Sequence, residues 1–520
     1  MGNRRSNQAF PLDQVTVRLH PQDDVAIAKV DLESGQVLQF GAEALAIRAN
    51  VPSGHKVALR ALAVGDAVRR YGQVIGFATR DIAPGDHVHT HNLGAPLYSR
   101  EYEIGTDVRP VQVVPPGQRR TFMGYARPSG RAGTRNVIAV ISNVNCSAHA
   151  TRQIAHSWTP ERLAPYPNVD GVIALTHHSG CSMRLGGEEY VMLQRTLAGM
   201  ARHPNVGGYL LVGLGCEVNQ IDALVENHAL ANPQGGAPRA LLIQDTGGVQ
   251  ATIEAGIEAV RELLPVVNAV ERTPQPISEW MLALQCGGSD GWSGVTGNPL
   301  VGLLADEVVR QGGTVVLGES PEIYGAEQLL LRRAVSEEVG QALIERVRWW
   351  EAYAERFGIE IDNNPSPGNK AGGLTTIYEK SLGAIAKSGS TPLTGVYQYS
   401  EPVTARGFTF MDTPGNDWVG VTGQVAGGCT LVLFVTGRGS AFGFKPSPVI
   451  KVATHSRLYR RMEPDMDFNA GRMLEGEAIE DLAAELLQAT IEVASGRPSK
   501  SEAQGIGEEE FCSWPMGGML

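Results

Sequence analysis

Short runs of alternating apolar and polar residues fill the first part of the chain. Segments such as VTVRLH, VAIAKV and HKVALRAL, all within residues 14–92, are separated by turn residues. Alternation over a few residues is typical of half-buried β-strands. We therefore predict a small all-β domain over residues 1–92. A proline-rich segment with little periodicity follows, and we predict a linker over residues 93–124.

Beyond residue 124 the pattern changes to apolar runs, glycine-rich loops and amphipathic segments. NVIAVISNVNC precedes AHATRQIAHSW, GGYLLVGLGC precedes IDALVENHALA, and MLALQCGGSDG precedes NPLVGLLADEVVRQGG. Buried strands that alternate with amphipathic helices indicate a parallel sheet covered by helices. We expect an α/β, Rossmann-like region in two sub-domains, residues 125–275 and 276–520. Ligands of such sheets bind at the carboxyl ends of the strands.

Composition and charge exclude several classes of protein. The chain has 520 residues, 42% hydrophobic and 19% charged, which is enough for a large core in two or three domains. The net charge of −11 gives no reason to expect nucleic-acid binding. No apolar stretch is long enough to span a bilayer, and the start MGNRRSNQAF lacks an apolar signal segment. We therefore expect a cytoplasmic protein with no membrane partner.

Four of the six cysteines stand at the ends of predicted strands. They are Cys146, Cys181, Cys216 and Cys286, separated by 35, 35 and 70 residues. A strand–helix unit takes about 30 or more residues, so we expect these four thiols at one edge of one sheet. Such a set suits iron, zinc or an iron–sulfur cluster. The alternative is that the cysteines are small apolar residues that fill strand ends.

Polar residues beside these cysteines extend the candidate site. Glu217 and Asp290 offer carboxylates as metal ligands or proton carriers, and His178 offers an imidazole. The glycine-rich loop QCGGSDGWSGVTGNP exposes backbone N–H groups together with Ser289 and Asn298, which favours an anion.

Three polar loops of the second half follow separate apolar runs. NNPSPGNKAGG contains Asn369 and Lys370, DTPGNDW follows GFTFM, and TGRGSAFG offers Arg438 to a carboxylate. In the small domain, the run HVHTH places His87 and His89 on the same side of a strand. We interpret these two histidines as an exposed edge rather than a metal site.

Long stretches of the chain resemble one known family. They include GHKVAL, RYGQVIGFA, GRAGTRN, GLGCE, CGGSDGWSGVTGNP, PEIYGAEQLL, NPSPGNKAGG, KSLGAIAKSG, TGRGSAFG and DFNAG. On these motifs the chain resembles the altronate/galactarate dehydratase family over nearly its whole length. HVHTHN and PGND look closer to the altronate branch, whereas the tail GEEEFCSWPMGGML departs from both branches.

The resemblance implies a hydro-lyase that dehydrates a sugar acid to a 2-keto-3-deoxy acid. It implies that the small domain is an SAF, or β-clip, domain, that iron is required as Fe²⁺ or as an iron–sulfur cluster, and that the enzyme is a homodimer. The four cysteines match family positions, and we expect them to hold the metal. The remaining expected site residues divide by role into catalytic Lys370, His178, Glu217 and Asp290, and substrate-binding Arg438, His55, Lys56, Ser289, Asn298 and Asn369.

Two of these residues belong to the small domain. His55 and Lys56 match family positions and are expected to reach over the main site and help close it. The alternative is that they only pack within their own domain or meet solvent.

Other functions stay open at this point. A lyase of the same kind could expel sulfite from sulfolactate instead of hydroxide. An NAD-dependent oxidoreductase is a different class, but the chain lacks the glycine fingerprint for a dinucleotide phosphate. A non-catalytic sugar-acid sensor on the same fold is a third possibility.

Overall fold

The chain begins with a small domain of short strands. In the computed structural model, which describes residues 10–41, 43–95, 101–128, 130–233 and 235–517, these strands form three small sheets. The sheet orders are β1-β4-β5, β10-β8-β7 and β2-β3-β6-β9. The elements are β1 Phe10–Pro11, α1 Leu12–Val15, β2 Thr16–Val17, β3 Val25–Ala28, β4 Val37–Phe40, β5 Glu43–Ala46, β6 Lys56–Ala58, β7 Ala67–Arg70, β8 Gln73–Ala78, β9 His87–Val88 and β10 Leu93–Gly94.

The pairing of β6 with β9 arranges the histidines of this domain. The strands are antiparallel, with Lys56 opposite Val88 and Val57 opposite His87. Residues that face each other across a ladder, and residues two apart along a strand, share one face of the sheet. His55, His87 and His89 therefore lie on the same face.

A parallel sheet of four strands forms the next region. Its order is β14-β13-β15-β16, and every pairing is parallel. The elements of this region are β11 Thr121–Ala126, β12 Ala132–Gly133, β13 Val137–Ser142, α2 Ala148–His156, α3 Pro160–Leu163, β14 Gly171–Leu175, α4 Glu188–Ala201, β15 Val206–Gly213, α5 Ile221–His228, β16 Arg239–Leu242, α6 Ile243–Thr246 and α7 Val249–Asn268.

The last region contains a second parallel sheet, of seven strands in the order β20-β21-β19-β18-β22-β23-β24. Its elements are β17 Thr273–Pro276, β18 Met281–Cys286, α8 Gly297–Arg310, β19 Thr314–Leu317, α9 Gln328–Leu331, α10 Glu337–Phe357, α11 Pro367–Ala371, α12 Ile377–Ile385, β20 Leu393–Tyr397, β21 Gly407–Met411, α13 Asp417–Ala426, β22 Leu431–Thr436, β23 Val449–Ala453, α14 Ser456–Arg461, β24 Phe468–Asn469, α15 Ile479–Ala494 and α16 Lys500–Ala503. Strand β17 pairs with β11 and so joins the two regions.

Short 3₁₀ helices occupy several connections. They are Pro116–Gln118, Asn145–Ser147, Ile277–Glu279, Ser320–Ile323, Ile361–Asn363, Ala386–Ser388 and Ala470–Glu475. None of the helices in the described residues is long and apolar enough to cross a bilayer.

Two apolar cores hold the regions together. One core contains Val68 and Ile75 of the small domain together with Trp280 and Leu300 of the last region. The other joins the two parallel sheets, with residues of β13 and β15 packed against residues of β22 and α13. Because burial of apolar area is the main favourable term in folding, the small domain is part of the folded body and not an appendage.

The predicted fold class is confirmed, with one correction. The molecule is α/β, with a small β-rich domain before a large parallel-sheet region. The expectation of four thiols on one sheet is wrong, because Cys286 ends β18 of the seven-stranded sheet while the other three cysteines follow β13, β14 and β15 of the four-stranded sheet. The domain limits at residues 92, 124 and 275 stay predictions.

Candidate active site

The carboxyl edge of the seven-stranded sheet carries most of the chemistry. Cys286 ends β18, Glu319 follows the neighbouring β19, Asp417 follows β21, and Arg438 follows β22. Parallel strands deliver the loops that follow them to one edge of the sheet. Cys286 and Asp417 line a pocket of about 340 Å³, together with Glu322, Asn363, Asn364, Ser366, Asn369 and Lys380.

Two lysines on the same side of one helix bring positive charge to this pocket and to Cys286. Lys380 in α12 and Lys387 just beyond it are seven residues apart, which brings them to the same side of the helix. Lys387 Nζ lies 2.7 Å from both Cys286 Sγ and Glu319 Oε2. Lys380 Nζ pairs with Glu322 and donates to Asn364 Oδ1 at 2.7 Å. The cluster is therefore an alternating array of buried cations and anions.

Burial and neighbouring charge shift the acids of this array. Desolvation and the nearby Glu322 raise the pKa of Glu319 to about 7. Desolvation, reinforced by Glu319 and Glu322, raises the pKa of Asp417 to about 8. Burial also raises the pKa of the Cys286 thiol. Glu319 stands in left-handed backbone with φ of 66°, a strained conformation of the kind that concentrates at functional sites.

The ligand atoms of Cys286, Glu319 and Glu322 lie close enough together to hold a metal ion. However, Lys387 and Lys380 already donate to these same atoms, so a cation would have to displace two buried ammonium groups. This set suits proton transfer and anion binding better than metal coordination.

The histidines of the small domain form a second group of converging ligand atoms. His55 Nδ1 lies 3.0 Å from His87 Nε2, and the ligand atoms of His55, His87 and His89 all lie within 4.8 Å of one another. Burial and mutual repulsion lower the pKa of His87 to about 3 and that of His89 to about 4, and burial lowers the pKa of His55. Neutral imidazoles are the form that binds metal. His87 and His89 are half-buried, and His87 belongs to β9, the edge strand of its sheet, so the edge position that we predicted and the convergence with His55 hold together.

This three-histidine group adjoins the pocket through α11. His55 Nε2 lies 3.3 Å from the Ala371 carbonyl at the end of that helix, and Asn369 of the same helix lines the pocket. Whether His55 helps to close the main site, as expected from the sequence, stays a prediction.

Lys56 has a different role from the substrate contact that we predicted. It is fully buried, donates to the Gly373 carbonyl at 2.6 Å and pairs with Glu379 of α12. Arg70 of the small domain pairs with the same carboxylate and donates to the Gly291 carbonyl. Lys56 thus fastens the small domain onto the site instead of facing a ligand.

Arg438 and Lys370 lie in the loops around α11. In the described part of the chain, no hydrogen bond or ion pair engages the Arg438 guanidinium, which is exposed. A Cβ atom on Gly372 would stand 3.0 Å from Arg438 Cδ, so this glycine leaves room for the arginine. Lys370 is half-buried on α11. Arg438 is therefore available to an anionic ligand.

The loop after Cys286 is held by its own polar residues. Asp290 is buried and accepts from the backbone N–H groups of Trp292 and Ser293 and from the Thr454 hydroxyl, so its carboxylate builds the loop rather than facing solvent. Asn369 donates to the Ser289 carbonyl at 2.8 Å, and Asn298 donates to the Gly383 carbonyl.

Some buried polar atoms near Cys286 have no hydrogen-bond partner in the described residues. They are Ser289 Oγ, Asn298 Oδ1 and Glu319 Oε1. Buried polar groups are almost always satisfied, so such atoms mark a place for a polar ligand or water.

The other predicted residues lie at the carboxyl edge of the four-stranded sheet. Cys146, Cys181, Cys216 and His178 are all exposed there. Glu217 is buried and accepts from the backbone N–H groups of Leu214 and Gly215. The four predicted catalytic residues therefore divide between two sheets, Glu217 and His178 on one and Asp290 and Lys370 on the other.

Comparison with known proteins matches all three regions. The altronate/galactarate dehydratase SAF domain matches residues 14–96, the second domain of D-galactarate dehydratase/altronate hydrolase matches residues 124–268, and the C-terminal D-galactarate/altronate dehydratase domain matches residues 277–518. The altronate dehydratase of Bacillus subtilis is 36% identical over 489 residues, 92% of this chain and 95% of the relative. The chain belongs to the D-galactarate/altronate dehydratase family.

Identity alone does not separate the branches of this family. The altronate dehydratase of Escherichia coli is 37% identical over 496 residues, 95% of this chain and 97% of the relative. The galactarate dehydratase (L-threo-forming) of the same organism is 36% identical over 488 residues, 92% of this chain and 93% of the relative. The preference for the altronate branch stays a prediction.

A relative with lower sequence identity is named as a sulfo-lyase and not as a dehydratase. The (2R)-sulfolactate sulfo-lyase subunit beta of Chromohalobacter salexigens is 31% identical over 406 residues, 75% of this chain and 96% of the relative. It keeps the alternative of a sulfo-lyase open.

Several residues of the candidate site were missed at the level of sequence. Glu319, Glu322, Lys380, Lys387 and Asp417 were not singled out, although all but Glu319 lie in PEIYGAEQLL, KSLGAIAKSG and PGND, which carry the resemblance to the dehydratase family. The usable signal was the presence of ionisable residues inside otherwise apolar stretches, because such residues are rarely buried without a partner or a role.

Proposed function

We propose that this protein is a metal-dependent hydro-lyase that dehydrates a sugar acid to a 2-keto-3-deoxy acid. One observation carries the proposal: Lys380, Glu322 and Asp417 converge on one pocket in a chain whose full-length relatives are altronate and galactarate dehydratases. Such a dehydration removes a weakly acidic proton from C2 and expels a hydroxyl from C3, so it needs a base, an acid and stabilisation of negative charge.

Arg438 is our proposed anchor for the C1 carboxylate. Its guanidinium has a planar fork of donors that fits a carboxylate, and among the described residues no hydrogen bond or ion pair engages this exposed side chain. Positive charge next to C1 also stabilises the enediolate-like charge that forms when the C2 proton leaves.

Glu322 is our proposed acceptor of the C2 proton. It lines the pocket, and Lys380 offsets its charge. Lys370, predicted for this step from the sequence, stays a second candidate because it projects from the same helix as the pocket residue Asn369. His178 follows a strand of the other sheet, and we do not propose it.

Asp417 is our proposed proton donor to the departing hydroxyl. A carboxyl whose pKa is raised to about 8 keeps its proton at neutral pH. A neutral acid inside the pocket can therefore convert hydroxide, a poor leaving group, into water.

His55, His87 and His89 are our proposed metal ligands, and iron is the proposed metal. Three neutral imidazoles suit ferrous iron, as they also suit zinc, and the resemblance to the dehydratase family favours iron. A metal bound there would supply Lewis acidity to the leaving oxygen. We further propose, on the resemblance alone, that the enzyme is a cytoplasmic homodimer. Light scattering of the purified protein would check the subunit count.

A substrate panel tests the proposed reaction. Anaerobically purified enzyme with Fe²⁺ would receive D-altronate, galactarate and sulfolactate in parallel, with 2-keto acid and sulfite measured. We expect 2-keto acid from a sugar acid and no sulfite. Sulfite from sulfolactate, without turnover of the sugar acids, would identify the sulfo-lyase instead. Failure with all three substrates would contradict both the sugar-acid dehydratase and the sulfo-lyase.

A variant pair tests the site. Glu322→Gln removes the proposed proton acceptor and should lower kcat by about 100-fold to 10,000-fold, the usual contribution of general acid–base catalysis. Glu463→Gln changes an exposed glutamate that pairs with Lys500 at the surface and should leave kcat unchanged.

A further inference from the structure

The C-terminal tail packs against a cluster of aromatic side chains beside the candidate active site. Trp514 of the tail stacks on Trp350 of α10, with ring centroids 5.4 Å apart and an angle of 10° between the ring planes. Both indoles are buried, and Tyr353 and Tyr399 belong to the same cluster. Stacked aromatic pairs stabilise a structure beyond the apolar area that they bury. The tail therefore holds Trp350 in one orientation.

Backbone hydrogen bonds anchor the tail on both sides of Trp514. The Cys512 N–H donates to the Thr422 hydroxyl at 3.1 Å, and the Gly517 N–H donates to the Tyr353 hydroxyl at 3.2 Å. The first acceptor belongs to α13, which begins with the proposed proton donor, and the second belongs to α10. The position of Trp514 is therefore set by its own backbone as well as by the stacked ring.

Trp350 presents its indole N–H to a buried carboxylate. Its Nε1 donates to Asp412 Oδ1 at 2.8 Å. The Ser320 hydroxyl donates to the same oxygen, and Arg346 Nη1 lies 3.7 Å from Asp412 Oδ2. A buried carboxylate is costly unless donors surround it. Trp350 and Ser320 together therefore fix the position of Asp412.

Asp412 lies where two loops of the active site meet. It follows β21 directly and begins the loop DTPGN, which leads to Asp417. Ser320 begins a 3₁₀ helix that carries Glu322. The backbone repeats this link, because the Ser320 N–H donates to the Thr413 carbonyl at 2.8 Å. One carboxylate thus joins the loop of the proposed proton donor to that of the proposed proton acceptor.

The two loops are closely packed where they reach the pocket. A Cβ atom on Gly415 would stand 3.1 Å from Glu322 Oε1, and a Cβ atom on Gly287 would overlap Asp417 Oδ2. Desolvation, reinforced by Glu319 and Glu322, raises the pKa of Asp417 to about 8. Because this effect of neighbouring charge falls with distance, the pKa of Asp417 depends on the separation of the loops.

We propose that Trp350 is a positioning residue for the dehydration and that Trp514 of the C-terminal tail holds it in place. Both indoles act through Asp412, which sets the distance between Glu322 and Asp417. Neither indole is among the described residues that line the pocket. The inference rests on the proposed function, since it takes the proton acceptor and the proton donor from there.

A Trp350→Phe variant tests the positioning role. Phenylalanine keeps an aromatic ring in the stack but cannot donate a hydrogen bond to Asp412. We expect kcat to fall by about 10-fold to 100-fold, the cost of a small misplacement of reacting groups, while KM stays close to the wild-type value. The alkaline limb of the kcat–pH profile should move to lower pH, because the pKa of Asp417 falls when the loops separate. A purely structural role would lower the amount of folded enzyme without moving this limb.

Trp349→Phe is the matched control. Trp349 belongs to the same aromatic cluster and stacks on Tyr353 with ring centroids 4.9 Å apart, whereas the donor to Asp412 is Trp350. Its kcat and pH profile should equal those of the wild type. Circular dichroism would show whether each variant is folded.

A second pair of variants tests the tail. Trp514→Leu removes the stacked ring and should change kcat and the alkaline limb in the same direction as Trp350→Phe. Trp514→Phe keeps a ring there and should retain most of the wild-type kcat. This pair answers the same question if Trp350→Phe does not fold.

Two results would overturn the positioning role. One is a folded Trp350→Phe variant with wild-type kcat and pH profile, and the other is a loss of kcat with an unmoved alkaline limb. Glu322→Gln keeps this test distinct from the proposed function. Full activity of Glu322→Gln would contradict the proposed proton acceptor, whereas an inactive Glu322→Gln beside a fully active Trp350→Phe would reject only the role of Trp350.

Discussion

Lys56 Nζ lies 2.9 Å from Glu379 Oε1, and both side chains are completely buried. The pair joins the small domain to α12, whose next residue, Lys380, lines the pocket. Arg70 shares the same carboxylate. A single carboxylate therefore pairs with two cations of the small domain where that domain meets α12.

Removal of the shared anion should strongly destabilise the protein. Glu379→Gln leaves Lys56 and Arg70 buried without their counter-charge, and loss of one partner of a buried pair costs about 3–5 kcal/mol. Urea unfolding followed by fluorescence would measure the loss in the free energy of unfolding. The exposed Arg109–Asp107 pair supplies the control, since Asp107→Asn should have no measurable effect. An equally small effect of both variants would contradict a stabilising role for the Lys56–Glu379–Arg70 cluster.

The histidine group should control metal content. His87→Ala and His89→Ala each remove one of three converging ligands, so we expect bound metal after dialysis to fall at least tenfold. Elemental analysis of the dialysed protein gives the readout. His91→Ala is a matched control, because His91 is exposed in the same segment with its ring centroid 5.5 Å from that of His87, yet it lies outside the group. Metal loss in the control alone would place the site elsewhere.

Arg438 should determine affinity for the substrate carboxylate. Arg438→Gln removes charge-assisted hydrogen bonds worth about 1.5–3 kcal/mol, so kcat/KM should fall roughly 10-fold to 150-fold. Steady-state kinetics with the active sugar acid would measure the change. Arg457→Gln, at an exposed arginine of α14, should leave kcat/KM at the wild-type value. The assignment fails if Arg438→Gln keeps full kcat/KM.

Asp417 should make stability depend on pH. Its pKa is raised from 3.8 to about 8 in the folded protein, so between these values the folded state holds a proton that the unfolded chain has lost. The free energy of unfolding therefore falls as pH rises from about 4 to about 8, by on the order of a few kcal/mol. Asp417→Asn should flatten this decline, whereas Asp481→Asn, at an exposed carboxylate of α15, should not. Parallel slopes in all three proteins would show that Asp417 ionises normally.

The fold was largely predictable because its signals are local. Apolar runs followed by glycine-rich loops predicted parallel strands; β18 ends at Cys286 as expected, whereas β13 and β15 end four and three residues before Cys146 and Cys216. The number of sheets was not predictable, because evenly spaced strand–helix units look alike whether they join one sheet or two. Cys286 was misplaced for this reason.

The site was less predictable, because its decisive contacts join residues distant in sequence. His55 meets His87 across 32 positions, and Lys387 meets Cys286 across 101 positions. Glycine-rich loops drew attention to Asp290 and Glu217, whose buried carboxylates instead bind neighbouring backbone N–H groups. A loop motif specifies where a backbone turns, whereas the partner of a buried charge is decided by the tertiary fold.

The segment between the small domain and the body has a consequence for how the molecule is assembled. In residues 101–120 its only regular element is the turn Pro116–Gln118, while the small domain is held through buried charge and a shared core. We therefore expect that two polypeptides, divided within this segment and produced together, associate through these buried contacts and restore activity.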